Sequence, residues 1–126
     1  MAVSGSNDLG DEEITLSLPA RPQFARVARL TVTGLASRVG FTYDEIEDLR
    51  IAVGEVCSLL LPGPDGRLTF RCRVSADAVS VHATRSPAGP ALEASDLSRQ
   101  ILLAVVDEFD LDQVSGSVRV AKRHRG

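Results

Sequence analysis

The sequence predicts a single two-layer α+β domain in which a mixed, mostly antiparallel sheet is covered on one face by three helices. Three observations predict it: a length of 126 residues, apolar periods that switch between two and about 3.6 along the chain, and the resulting order β-α-α-β-β-α-β-β. Hairpins mixed with helices in that order leave one sheet face to be covered and the other in water. At this length folding buries roughly two thirds of the unfolded surface, enough for one core.

Residues 1–12 mix Gly, Ser, Asn, Asp and Glu without a period and are expected to form a flexible leader, with the domain occupying residues 13–126. From Glu13, Ile14, Leu16 and Leu18 alternate with Thr15 and Ser17, predicting a strand that Pro19 ends. From Pro22 the period lengthens: Phe24, Val27, Ala28, Thr31, Leu35 and Val39 are expected to line the inner side of a helix that Gly40 stops. Thr42, with Glu45 three residues on, forms a capping box for a second helix whose stripe is Ile46, Leu49, Val53, Val56 and Leu60. Residues 62–66 (Pro-Gly-Pro-Asp-Gly) then turn the chain.

Leu68, Phe70, Cys72 and Val74 make the next strand, and Val79, Val81 and Ala83 the one after it, joined closely enough to form a hairpin. Residues 86–94 are the longest internal loop. Ser95 or Asp96 is expected to cap a third helix running through Glu108, with Leu97, Ile101, Ala104, Val105 and Glu108 on its stripe. Phe109 and Leu111 form a short strand, Gly116 follows a turn, and Val118 and Val120 form the last strand.

Composition narrows the function classes. Aromatics make up 4% of the chain and Trp is absent, so the core must come from aliphatic side chains and a large base-stacking platform is excluded. A net charge of -3 argues against a general nucleic-acid binder. The basic run Lys122, Arg123, His124 and Arg125 is expected to be a solvated terminus. Cys57 and Cys72 have neither CxxC spacing nor an adjacent His, and read as small buried hydrophobes. His82 and His124 stand apart from any acid or thiol in sequence and are assigned no role. No stretch approaches the ~20 apolar residues that span a bilayer and no signal peptide is evident, so a cytoplasmic protein without a membrane partner is expected.

Two segments carry a resemblance: Phe24-Ala25-Arg26-Val27 and Asp48-Leu49-Arg50-Ile51-Ala52-Val53-Gly54-Glu55-Val56-Cys57. Together with the order of elements, the Val106–Phe109 stretch and the closing Val118–Arg123 strand, they resemble the RsbW-type anti-sigma factor serine kinases of the GHKL, histidine-kinase-like ATPase superfamily, over residues 13–123. The resemblance implies the GHKL (Bergerat-like) fold. In that family the second helix carries a Glu that acts on the attacking hydroxyl and, four residues on, an Asn that helps hold magnesium on ATP. Glu55 matches the first and is by resemblance a remnant catalytic base. On the residues alone it reads instead as one acid on a solvated helix face with Asp44, Asp48 and Ser58. Leu59 stands where the Asn belongs and offers magnesium no oxygen.

The family also uses an Asp-x-Gly-x-Gly segment and a Gly-x-Gly turn to hold adenine and phosphates. Here the corresponding stretches read Ala83-Thr84-Arg85-Ser86-Pro87 and Asp96-Leu97-Ser98-Arg99, and a carboxylate at a phosphate site repels the ligand. The 86–94 loop stands where the family has its ATP lid and is short. A degenerate member with no cofactor is therefore expected, and ATP with magnesium only if the site works after all. The family uses an arginine matching Arg26 to touch its protein partners, and Arg29 lies one turn on.

The expected function is an anti-sigma-type regulator. It is expected to be a homodimer that sequesters an alternative sigma factor and is countered by an anti-anti-sigma (STAS-type) protein, without direct nucleic-acid contact. The alternatives are an active ATP-dependent serine kinase of the anti-anti-sigma protein and a non-catalytic scaffold module.

Overall fold

In the computed structural model, residues 12–125 are described; the expected leader, up to residue 11, lies outside them. The elements are β1 (Glu12–Pro19), a 3₁₀ turn (Pro22–Phe24), α1 (Ala25–Arg38), α2 (Tyr43–Leu60), β2 (Arg67–Val74), β3 (Ala78–Ser86), α3 (Asp96–Val105), β4 (Glu108–Asp112) and β5 (Ser117–Arg123). β1 thus begins one residue before Glu13. The strands form one five-stranded sheet in the order β1-β2-β3-β5-β4, and every neighbouring pair is antiparallel rather than mixed.

Register follows from the alternation. Across the sheet, Ile14, Cys72, Val81, Val120 and Phe109 form one transverse row, and Leu16, Phe70, Ala83, Val118 and Leu111 the next. Both rows point at the helices, and a slip of one residue in any strand would turn its apolar set to water. Leu49, Val53, Val56 and Leu60 of α2 lie over them, fully buried, as does Leu102 of α3. Cys57 and Cys72 are buried free thiols, and burial pushes both up to about 11. No described helix is long and apolar enough to cross a membrane.

Two helices differ from expectation. The buried line of α1 is Ala28, Val32 and Ala36, one turn apart, whereas Val27 is 40% exposed and Thr31, Leu35 and Val39 are half-buried. Small side chains on that line let α1 approach its neighbours closely, which favours burying them over larger residues on the flank. α3 stops at Val105 instead of Glu108. The Val106 N–H still reaches Leu102 O at 3.0 Å, but the Asp107 N–H bonds to Ala121 O at 2.8 Å, so the chain has joined β5 and Glu108 begins β4. Of the expected α3 stripe, Ile101 and Val105 are half-buried while Leu97 and Ala104 are exposed.

Candidate functional site

α2 places the matched residues. Thr42 opens it with a complete capping box: the Glu45 N–H donates to Thr42 Oγ1 at 3.2 Å, and the Thr42 N–H to Glu45 Oε1 at 2.8 Å. Glu55 lies thirteen positions beyond Thr42, and Leu59 and Leu60 end the 18-residue helix.

Arg85 closes that end of α2. It sits on the inward register of β3, opposite Leu68, and is 6% exposed. Its Nη1 donates to Leu60 O at 2.9 Å and Leu61 O at 3.1 Å, and its Nη2 donates to Pro64 O. These carbonyls end α2, where orphan acceptors and the negative end of the helix dipole both favour a cation. The buried Nε has no partner among the described residues. The loops close on the guanidinium: a Cβ at Gly63 would lie 3.1 Å from Nε, and one at Gly89 only 2.6 Å from Pro62 O.

Glu55 is half-buried and accepts a hydrogen bond from Ser98 Oγ at 2.9 Å. It therefore ties α2 to the first turn of α3 rather than standing on a solvated face. Ser95, not Asp96, caps α3 by accepting from the Ser98 N–H at 3.1 Å, and Asp96 is its exposed first residue. Asp48 is also engaged, by Lys122 Nζ at 2.9 Å, while Asp44 and Ser58 are exposed as expected. Leu59 is half-buried against the core.

A guanidinium and three backbone carbonyls fill the end of β3, and Leu59 supplies no oxygen. Among the described residues, no three His, Cys, Asp or Glu side chains cluster to hold a metal ion.

The basic run at the end of the chain is not a solvated tail. His124 Nδ1 lies 2.7 Å from Glu45 Oε1, its ring stacks on Phe41 at 5.1 Å, and the Arg125 N–H donates to Glu45 Oε2 at 2.7 Å. Burial raises the Glu45 carboxyl, but the hydrogen bonds from Arg125, Thr42 and His124 outweigh it and hold the group at about 2. Asp107 accepts from Arg125 Nη2 at 2.5 Å and from the Arg123 N–H at 2.7 Å, and the Arg125 bond chiefly holds it below the ordinary carboxylate range. His124, read from sequence as isolated, thus has an acid partner that folding brings from 79 positions away.

Arg26 and Arg29 are brought together on the far side of α1. With Leu30, Thr33 and Arg50 they line an open depression of about 360 Å³. Leu30 in it is 61% exposed. Arg50 pairs with Glu47 at 2.5 Å, whereas neither Arg26 nor Arg29 makes an ion pair with a described residue. Glu55 does not line this depression.

A five-stranded antiparallel sheet under three helices, with a capped second helix carrying Glu55, defines the class of RsbW-like α+β domains. The fold matches the RsbU and RsbW domains of a Mycobacterium tuberculosis protein, with a TM-score of 0.68 over 90% of this chain and 32% of that one, at 16% identity. In sequence, the chain is 56% identical over 45 residues to the serine-protein kinase RsbW of Bacillus subtilis, covering 36% of this chain and 28% of that protein. It is 39% identical over 75 residues to RsbW of Bacillus pumilus (54% and 46% of the two chains). Against RsbW of Listeria innocua it is 37% identical over 78 residues (58% and 50%). The chain spans half or less of the curated relatives it matches, and no family model matches it. The resemblance read from the sequence thus agrees with the curated relatives, which are named RsbW serine-protein kinases.

Proposed function

We propose that this protein is an anti-sigma-type regulator that holds its partners on the α1–α2 face and does not turn over nucleotide. The observation that carries the reading is the depression beside α1, where Leu30, 61% exposed, lies among Arg26, Arg29 and Arg50. An open aliphatic group among arginines has the make-up of an interface centre, and an Arg fork takes a carboxylate in two-point contact. In this reading an alternative sigma factor occupies the face, and a STAS-type anti-anti-sigma protein competes for it. The closed region around Arg85 supports binding without catalysis.

Calorimetric titration of the sigma factor that co-purifies with the protein tests it. Arg26→Ala weakens capture roughly tenfold or more, the scale of an interface anchor. Unchanged affinity removes Arg26 from the account.

Glu55 and the kinase names of the relatives favour one rival, an ATP-dependent serine kinase of the anti-anti-sigma protein. Micromolar binding of Mg-ATP with transfer to a serine of the antagonist establishes the rival; no heat and no thermal shift leave the binding reading standing.

A further inference from the structure

The helices cover one face of the sheet, and the other carries an arrangement that neither the core nor the α1–α2 face explains. Its middle transverse row reads Thr15, Arg71, His82, Arg119 and Asp110, one residue from each strand in spatial order. Arg71, His82 and Arg119 therefore stand side by side on neighbouring strands, about 5 Å apart per step. Like charges placed directly opposite one another are destabilising. Arg73 lies in the next row, and these four line an open depression of about 270 Å³ with Ser80 and Glu13.

The carboxylates of the described residues do not balance this strip. Arg71 and Arg73 share Glu13, each at 3.3 Å, and Arg119 and Arg123 share Glu108 at 2.9 and 3.7 Å, so with Asp110 beside Arg119 four guanidiniums face three acids before His82 is counted. Hydrogen bonds from Arg73 and Arg71 hold the Glu13 carboxyl below its ordinary value. The whole chain is at -3, so the strip is a local concentration of positive charge on an otherwise acidic protein.

We infer that this uncovered sheet face is a second docking surface, and that its occupant is a short acidic segment of a partner protein. The width of the strip selects that occupant. Glu13 bounds it on one side and Glu108, Asp110 and Asp112 on the other, leaving about two strand spacings, roughly 10 Å, of positive surface. A long polyanion such as RNA, or an anionic bilayer, would run onto those flanking carboxylates. A second copy would set cationic centre against cationic centre. An extended peptide with Asp or Glu at every second position spaces its carboxylates about 7 Å apart and places two of them within the strip. Arginine forks then take each in two-point contact. This inference does not depend on the α1–α2 reading.

The test titrates the full-length, isotopically labelled protein with an acetylated, amidated peptide of four Glu-Thr repeats. Saturable amide shifts centred on Arg71, His82 and Arg119 are expected, without requiring any variant to fold. By fluorescence anisotropy, the double variant Arg71→Gln/Arg119→Gln binds the peptide roughly tenfold or more weakly, the scale of two lost charge-assisted contacts, and Arg21→Gln binds it unchanged. Three outcomes overturn the inference: no saturable shifts, shifts confined to α1 and α2, or tighter binding of a ten-nucleotide oligouridine or of phosphatidylserine vesicles than of the peptide.

Discussion

On the side of α2 that faces β3 and α3, charged groups end on partners within the chain: Arg85 on Leu60, Leu61 and Pro64 carbonyls, and Glu55 on Ser98. On the side shared with α1, Arg26 and Arg29 have no ion pair among the described residues, and Leu30 stays open to water. Both conditions have a physical cost when nothing answers them, since buried polar groups need partners and apolar groups resist exposure. The chain answers the first cost itself and leaves the second. In the proposed reading, the recess is closed by the chain's own side chains and recognition falls to the cationic surface beside α1.

The largest test of this contrast replaces Arg85. Arg85→Met keeps much of the bulk but removes every donor, leaving the carbonyls at the end of α2 without partners in a buried setting. A loss of about 3 kcal/mol in urea denaturation is expected. On the open side, Leu30→Ser should change stability by no more than about 0.5 kcal/mol, because it touches a side chain already 61% exposed. Similar losses for the two variants would break the distinction between a closed side and an open one.

A second test sharpens it at the other end of α2, which the chain's last residues close. The Glu45 carboxyl falls from 4.5 in the unfolded chain to about 2 in the fold. The ionised form is therefore the stabilising one. Its contribution is complete above pH 4.5 and disappears as pH drops from there toward 2. Glu45→Gln should cost on the order of 2 kcal/mol at pH 7 and less as the acid limb is descended, with denaturation curves at pH 7, 4 and 2.5 following the convergence. A constant difference between the two proteins across that window would show that Glu45 acts through shape and not charge.

These tests also mark what the sequence could and could not disclose. The Thr42–Glu45 capping box, the β2–β3 hairpin and the α2 stripe were legible because each is set by residues within a few positions of one another. On α1 Ala28 was legible as an inner residue, but Val32 and Ala36 were not, because the larger Leu35 and the equally apolar Val27 suggest a line turned toward the flank. The end of α3 was overextended because Val105, Val106 and Glu108 continue a helical spacing that only the Asp107–Ala121 bond interrupts. Arg85 had a signal that was passed over: it continues the inward alternation of Val79, Val81 and Ala83, so an arginine there must be buried and must find acceptors. The clamp of His124 and Arg125 on Glu45 had none, since nothing local announces a contact closed by the whole fold.

The smallest effect bears most directly on Glu55. Its bond to Ser98 joins two half-buried side chains, so Ser98→Ala should cost no more than about 1 kcal/mol. Glu55→Gln should cost a similar amount, and the double variant should cost less than the two single losses added together, because both remove one shared contact. A residue that works only as this tie has no further consequence. If Glu55 were a working general base, Glu55→Gln would lower phosphoryl transfer to an antagonist serine by about a hundredfold or more while Ser98→Ala, which frees the carboxylate, would not. Stability cycles and single-turnover transfer measured on the same three variants therefore separate a structural clasp from catalytic chemistry at Glu55.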